Sequence, residues 1–195
     1  MIACVIGNGP SRLEFDLLTI KSGMTTYGCN ALHRDFMPDY LISMDIAMVK
    51  EILESDVHLL TKFYTQHDNQ IDEIAKTEPI NFFWGFKETN DSGNSALRLA
   101  LMQDNDIVYM IGFDYNNGSQ LPNVYSGTPN YCSSHMYPAA NMKVSEWRQR
   151  LNKILKDYPN KKIIRVNGHS IFDIQHQNYC EITPEQFKEI YESTT

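Results

Sequence analysis

The segment best suited to chemistry is Gly7-Asn8-Gly9-Pro10-Ser11, which directly follows an apolar run at residues 2–6. Glycines let a backbone approach a ligand closely, and proline stiffens the turn. A helix opened at Ser11 would point unpaired N–H groups at an anion. The spacing is not the G-x-G-x-x-G dinucleotide fingerprint, because Arg12 stands where the third glycine belongs. The G-K-[ST] ending of a phosphate-binding P-loop is missing too. A tight strand-to-helix turn without a ligand is the alternative. A second segment, Asn90-Asp91-Ser92-Gly93-Asn94-Ser95, has the composition of a helix start and alone reads as a capped N-terminus. Beside the first loop on one sheet edge, the two helix ends would make a pocket for a nucleotide.

Other candidates stand singly. Asn30, Asp45, Asp114 and Tyr115 each close an apolar run. One carboxylate is a poor metal site, so Asp45 suits hydrogen bonding to a ribose or base better. Asp104-Asn105-Asp106 spells the D-x-D pattern that some glycosyltransferases use to hold a metal. It falls between a helix and the start of a strand, on the opposite sheet edge, and reads as a solvated turn. None of the six histidines has a partner at the i, i+4 spacing of a helical zinc site. His135 lies among Tyr125, Tyr131 and Tyr137, where a histidine could act as a general base near neutral pH. An exposed loop histidine is the alternative.

These residues need elements to position them. Apolar runs predict strands at residues 2–6, 24–29, 40–44, 59–65, 80–84, 107–112 and 162–166. Helical spacing predicts helices at 46–53, 92–103 and 141–158, with Val144, Trp147, Leu151, Ile154 and Leu155 on one face of the last. Ser11-Arg12-Leu13-Glu14 has the S-x-x-E form of a capping box opening a short helix, and Thr183-Pro184-Glu185-Gln186 caps a final one. Strands alternating with helices imply an α/β fold: one Rossmann-like domain over residues 1–195, its mainly parallel sheet covered by helices on both faces. Ligands of such sheets bind at the carboxyl ends of the strands, the edge that collects the candidates above. Residues 115–140 form a long loop rich in Asn, Gly, Ser, Pro and Tyr, and its tyrosines favour a lid.

Bulk properties narrow the function classes. A net charge of −7 disfavours a protein whose main work is gripping nucleic-acid phosphates. No apolar run approaches the ~20 residues of a membrane span. The opening segment lacks a basic flank and reads as a buried strand, so an intracellular, cytoplasmic protein is expected. Cys4, Cys29, Cys132 and Cys180 are too widely spaced for a zinc site or a disulfide framework and read as reduced thiols.

Taken together, these segments resemble the bacterial sialyltransferases of glycosyltransferase family 42 and the related domain of archaeal-type 6-hydroxymethylpterin diphosphokinases. Ile6 to Ser11 is similar to the sialyltransferases' nucleotide loop, and Tyr27-Gly28-Cys29-Asn30 to their strand ending in a nucleotide-contacting asparagine. Ser92-Gly93 matches their Ser-Gly helix start. Gly112-Phe113-Asp114-Tyr115 with Asn117-Gly118-Ser119 matches a strand end and adjoining loop, and His135 falls within about one residue of the catalytic histidine. The resemblance implies that Asn8, Asn30 and Ser92 hold a cytidine nucleotide, within a site made by Gly7, Gly9, Pro10, Ser11, Asp45, Gly93 and Asp114. It also implies that Tyr115 and Tyr125 donate to the departing phosphate while His135 takes the proton of the acceptor hydroxyl. The implied activity is inverting transfer from a CMP-sugar to a glycan or small-molecule acceptor, without metal or other cofactor. Asp45 replaces a third asparagine, and its segment Pro38 to Asp45 looks more like the diphosphokinase domain. That alternative implies pyrophosphoryl transfer from ATP with Mg²⁺ held by Asp45 and Asp114. A non-catalytic nucleotide-binding domain is the third reading. A homo-oligomer would fit if a neighbouring subunit orders the long loop.

Overall fold

Short apolar runs rich in β-branched and aromatic residues make eight strands among the described residues. They are β1 (Ile2–Ile6), β2 (Thr25–Cys29), β3 (Tyr40–Ile42), β4 (Lys62–Thr65), β5 (Asn81–Phe82), β6 (Ile107–Ile111), β7 (Lys162–Val166) and β8 (Tyr179–Ile182). The computed structural model describes residues 1–85, 91–115, 123–131, 140–166 and 174–193, with the backbone alone for 140–144. The strands form one sheet in the order β5-β4-β3-β2-β1-β6-β7-β8, and every pairing is parallel. In the central register Val5 stands beside Tyr27 of β2 on one side and Met110 of β6 on the other.

Helices α1 (Leu17–Gly23), α2 (Ile46–Glu54), α3 (Asn69–Ile74), α4 (Ser92–Met102), α5 (Ala140–Asp157) and α6 (Pro184–Glu192) cover both faces. The period-2 alternation of strands divides the core between them. Ala3, Val5, Val108 and Met110 pack with Leu97 and Ala100 of α4 and with Leu151 and Leu155 of α5. Their neighbours Cys4, Ile6, Tyr109 and Ile111 face Ile20 of α1 and Phe187 of α6. Leu41 and Phe63 meet Met48, Val49 and Ile52 of α2 and Ile71 of α3. Burial on both faces explains why β1 and β6 read as unbroken apolar runs.

The chain steps outward from β1 to β5, then returns to lay β6 against the other side of β1. Strand order therefore reverses between β1 and β6. The helix that follows β1, α1, packs on one face of the sheet and α5, which follows β6, on the other, and the carboxyl edge between them is where such sheets bind ligands.

Local signals place the helices. Asp16 Oδ1 accepts the Leu18 N–H at 3.0 Å to start α1, Asp91 caps α4 through Asn94 N–H at 2.7 Å, and Thr183 with Gln186 forms the expected capping box of α6. The capping box expected at Ser11 is absent. Residues Pro10–Glu14 make a 3₁₀ turn with Gly9 at its N-cap and no side-chain cap. The Ser11 side chain is drawn instead to Asp114, 103 positions away. The sheet also gains β8, and α1 and α3 add to the expected helices.

Candidate functional site

A cavity of about 950 Å³ opens at the β1/β6 switch point, within the usual size range of ligand pockets. Among the residues singled out from sequence, Gly7, Asn8, Gly9, Asn30, Asp45, Ser92, Gly93, Asp114 and Tyr115 all line it. Pro10, Ser11 and Tyr125 do not. His135, the loop Asn117-Gly118-Ser119, Tyr137 and Cys132 lie outside the described residues.

The glycine loop is not the open anion cradle that its composition suggests. Gly7 N–H donates to the Ile111 carbonyl at 2.8 Å and Gly9 N–H to the Gly112 carbonyl at 2.9 Å, extending the β1–β6 seam beyond the strands. Arg12 N–H returns to the Gly9 carbonyl at 3.2 Å. Ser11 donates its N–H to Asp114 Oδ2 at 3.1 Å and its hydroxyl to Asp114 Oδ1. A carboxylate from the segment after β6 thus occupies the place expected for a ligand anion. Glycine is required at position 9 because a Cβ there would lie 2.5 Å from Asp114 Oδ2 and 2.6 Å from the Gly112 carbonyl oxygen.

Neutral polar groups make the floor. Asn8, 6% exposed, donates through Nδ2 to the Cys29 carbonyl at 3.1 Å, while its buried Oδ1 has no partner among the described residues. Asn30 accepts the Ser43 hydroxyl at 3.0 Å, and Ser92 Oγ accepts the Met44 N–H at 3.3 Å. Asn30, Tyr115 and Asn130 all adopt left-handed backbone, with φ of 50°, 40° and 57°, and all three line the cavity. Strain of this kind concentrates at functional sites.

Two buried arginines build the walls. Arg165 is fully buried. Its Nε donates to the Phe113 carbonyl at 2.8 Å, its Nη2 to the Asp114 carbonyl at 3.4 Å, and its Nη1 pairs with Glu181 at 2.8 Å. That grip fixes the end of β6 in the conformation that turns Tyr115 toward Trp147 of α5, whose ring centroid lies 6.2 Å away. Burial pushes the Tyr115 phenol well above its ordinary value, so it stays protonated. Arg12, also buried, contacts Asp35 Oδ2 at 2.8 Å and the Tyr125 hydroxyl at 2.6 Å, and Tyr125 donates to the same Asp35 oxygen at 2.7 Å.

The guanidinium groups of Arg12 and Arg34 lie over the Tyr125 ring, 5.3 and 5.8 Å from its centroid. Arg34 holds Glu51 with two bonds of 2.6 and 2.7 Å and also grips Thr128 Oγ1 and the Pro129 carbonyl, both at 2.7 Å. Residues 123–131 are thereby docked as a cavity wall that presents Asn123, Ser126, Asn130 and Tyr131. This part of the expected lid is anchored to the scaffold, and the Tyr125 hydroxyl is spent on the anchor.

The wall between α4 and α5 carries the charge. Asp91 accepts Asn94 N–H and Nδ2–H at 2.7 and 2.8 Å, and Arg150 Nη1 at 3.2 Å. Burial nonetheless raises the Asp91 carboxyl above its ordinary value. Arg150 Nη2 binds Glu146 Oε2 at 3.0 Å. Sequence reasoning missed Arg12, Arg34, Arg150 and Arg165 as site builders. Only Arg165, a charge inside the apolar strand Lys162–Val166, offered a local signal.

Asp106 is 68% exposed and bonds the Met1 amine at 2.8 Å and Lys161 at 3.3 Å, at the amino edge of the sheet. It serves the surface, as expected of a solvated turn. No group of three or more His, Cys, Asp or Glu positioned for a metal occurs among the described residues. Cys4, Cys29 and Cys180 are free thiols, and burial pushes Cys29 up to about 12. No helix among the described residues is long and apolar enough to cross a membrane.

No protein-family profile matches the chain, and no curated protein sequence is similar to it. The fold is similar to that of a solved structure, a mutant of the alpha-2,3/8-sialyltransferase CstII, with a TM-score of 0.50 and 13% identity over 91% of this chain and 92% of that one. The two share an α/β architecture.

Proposed function

We propose that the chain is an inverting, metal-independent glycosyltransferase that moves a sugar from a CMP-activated donor to an acceptor hydroxyl in this cavity. The observation that carries the reading is the composition of the pocket floor. Amide and hydroxyl groups from the ends of β1 and β2 and from the start of α4 meet at the switch point, while the glycine-loop N–H groups at positions 7, 9, 11 and 12 are already consumed. A pyrophosphate cradle needs those N–H groups free. At the start of α4, an eleven-residue helix, Asp91 claims the N–H groups of Asn94 and Ser95, which leaves those of Ser92 and Gly93, both lining the cavity, for a single phosphate. The sialyltransferase-like fold supports the same reading.

In this scheme Asn8, Asn30 and Ser92 hold the nucleoside, and Asp45 bonds ribose or base. Tyr115, kept protonated by its burial, donates to the departing phosphate as the glycosidic bond breaks. His135 is assigned the base that takes the acceptor proton, on the sequence resemblance alone. Asp114 and Ser11 brace the loop, and Tyr125 holds the 123–131 wall. Catalysis is positioning plus stabilisation of the leaving phosphate.

Pyrophosphoryl transfer from ATP would need Asp45 and Asp114 for Mg²⁺, and the donor set does not fit, because the Asp114 carboxylate already accepts two bonds from Ser11. A screen of thermal stability against CMP and ATP, with and without Mg²⁺, tests the reading. Stabilisation by CMP without metal is expected, with His135→Ala abolishing turnover and sparing CMP binding. A rise only with ATP and Mg²⁺ would establish the kinase-type reaction, and no shift with either nucleotide would leave a non-catalytic domain.

A further inference from the structure

We infer that His33 is a positioning residue for the nucleotide site: the proton on its Nε2 ties Asn30, on the cavity floor, to α2, so that ligand affinity rises as pH falls through the histidine range. The inference rests on the nucleotide-binding reading of Asn30 and deepens it.

Asn30 opens the 3₁₀ turn Asn30–Arg34 that follows β2. Its φ of 50° is a left-handed conformation that a non-glycine residue keeps only where its surroundings hold it. Ser43 holds the side chain, by donating to Oδ1 at 3.0 Å. His33 holds the backbone, with Nδ1 3.0 Å from the Asn30 carbonyl oxygen. A carbonyl only accepts, so Nδ1 carries a hydrogen and Nε2 is the nitrogen that gains or loses one. The His33 side chain is 5% exposed, and Nε2 stands 3.4 Å from Glu51 Oε1. A protonated ring is therefore tied at both ends, to the floor residue and to α2. A neutral ring presents a lone pair to the carboxylate, and the tie to α2 is lost.

Glu51 extends the tie to the opposite wall. Its carboxylate accepts Arg34 Nε and Nη2 at 2.6 and 2.7 Å and Asn130 Nδ2 at 2.8 Å. Asn130, also left-handed at φ 57°, lines the cavity from the 123–131 wall. One carboxylate thus joins two strained cavity residues, Asn130 directly and Asn30 through His33. The charges around His33 come from three elements. α2 brings Glu51, and the turn itself brings Arg34 on that same carboxylate, followed by Asp35, which Arg12 engages. The wall brings the Tyr125 phenol, kept protonated by its burial. β2 and β3 pack on the same turn and contain no charged residue; burial pushes the Cys29 thiol up to about 12, and the Tyr40 hydroxyl accepts from Lys62. The mutual bonds of Arg34 and Glu51 raise the one and lower the other, so both stay charged at neutral pH. The switching charge of the cluster is then the histidine's, since histidine is the side chain that changes charge between about pH 5 and 8.

Calorimetric titration of CMP into wild type, His33→Asn and His33→Phe at about pH 5.5 and about pH 8 tests the inference. Asparagine keeps a donor for the Asn30 carbonyl but takes up no proton, so it stands in for the neutral imidazole. Phenylalanine removes both nitrogens. Comparing proteins at one pH cancels the ionisation of the CMP phosphate. Wild type and His33→Asn are expected to agree within about twofold at the higher pH, and wild type to bind at least about fivefold more tightly at the lower one, the low end of coupling between linked sites. His33→Phe should bind more weakly than wild type at both. A ratio of wild type to His33→Asn that does not change with pH overturns the inference while leaving the nucleotide reading in place, as does a His33→Phe variant that binds like wild type. If His33→Phe does not fold, the ratio from His33→Asn decides alone. Failure of the wild type to bind CMP at both pH values overturns the inference and the nucleotide reading together.

Discussion

Replacing Tyr125 by phenylalanine separates a structural from a catalytic role for this residue. The substitution keeps the ring against Arg12 and Arg34 and removes only the hydroxyl. Two hydrogen bonds vanish, one from Arg12 at 2.6 Å and one to Asp35 at 2.7 Å. Bonds to charged groups contribute about 1.5–3 kcal/mol each. Arg12 and Asp35 remain paired at 2.8 Å, and Asp35 is 49% exposed, so neither charge is stranded and the lower end applies. The sum is about 3 kcal/mol, or roughly a 6–12 °C fall in Tm for a chain of this size. Differential scanning calorimetry reads that loss directly, and initial rates read the chemistry. The expected outcome is a lower Tm with turnover reduced less than about tenfold, since the reacting groups are untouched. An unchanged Tm together with a rate loss of about a hundredfold or more would refute the clasp and make the hydroxyl a phosphate donor.

Arg165→Met should unfold the protein more readily than any surface change, because it orphans the Phe113 carbonyl and leaves Glu181 without its cation. About 3–5 kcal/mol is expected, read as a lowered urea midpoint with unchanged m-value; a shift under about 1 kcal/mol would contradict the role given to Arg165 in holding the end of β6. Acid sensitivity follows from the clasp. The hydrogen bonds from Arg34 lower the Glu51 carboxyl, and although burial pushes Asp35 up, its bonds from Tyr125 and Arg12 bring it below its ordinary value. Folded values below unfolded ones mean stability that is present above the ordinary carboxylate range, near pH 4, and lost as pH falls through the depressed folded values. Arg34→Met should flatten the fall of Tm between about pH 5 and 3, and an unaltered slope would show that the pair contributes nothing.

Much of the site was legible because it is written at strand ends. Gly7 to Gly9, Asn30, Asp45 and Tyr115 each follow an apolar run, and a parallel sheet puts all such ends on one edge. What stayed hidden depends on partners distant in sequence. Ser11 and Glu14 have the spacing of a capping box, but the hydroxyl is claimed by Asp114 and the following helix is capped by Asp16. Arg12 stands out in the sequence only as a missing glycine, and its partners Asp35 and Tyr125 are 23 and 113 positions away. Strand β8 was invisible because Tyr179–Ile182 is an edge strand that buries one of its four residues. Helix α3 has six residues and buries only Ile71, too little for a periodic signal.

The central claim is that the switch-point cavity binds a cytidine monophosphate on asparagine amides without a metal. Calorimetric titration of CMP in the presence of EDTA, with wild type and Asn8→Ala, tests it most directly. Asn8 Nδ2 now bonds the Cys29 carbonyl and its Oδ1 has no partner among the described residues, so truncation should weaken CMP by about tenfold while the fold persists. No heat with CMP in EDTA, or equal affinity in the two proteins, would contradict the account.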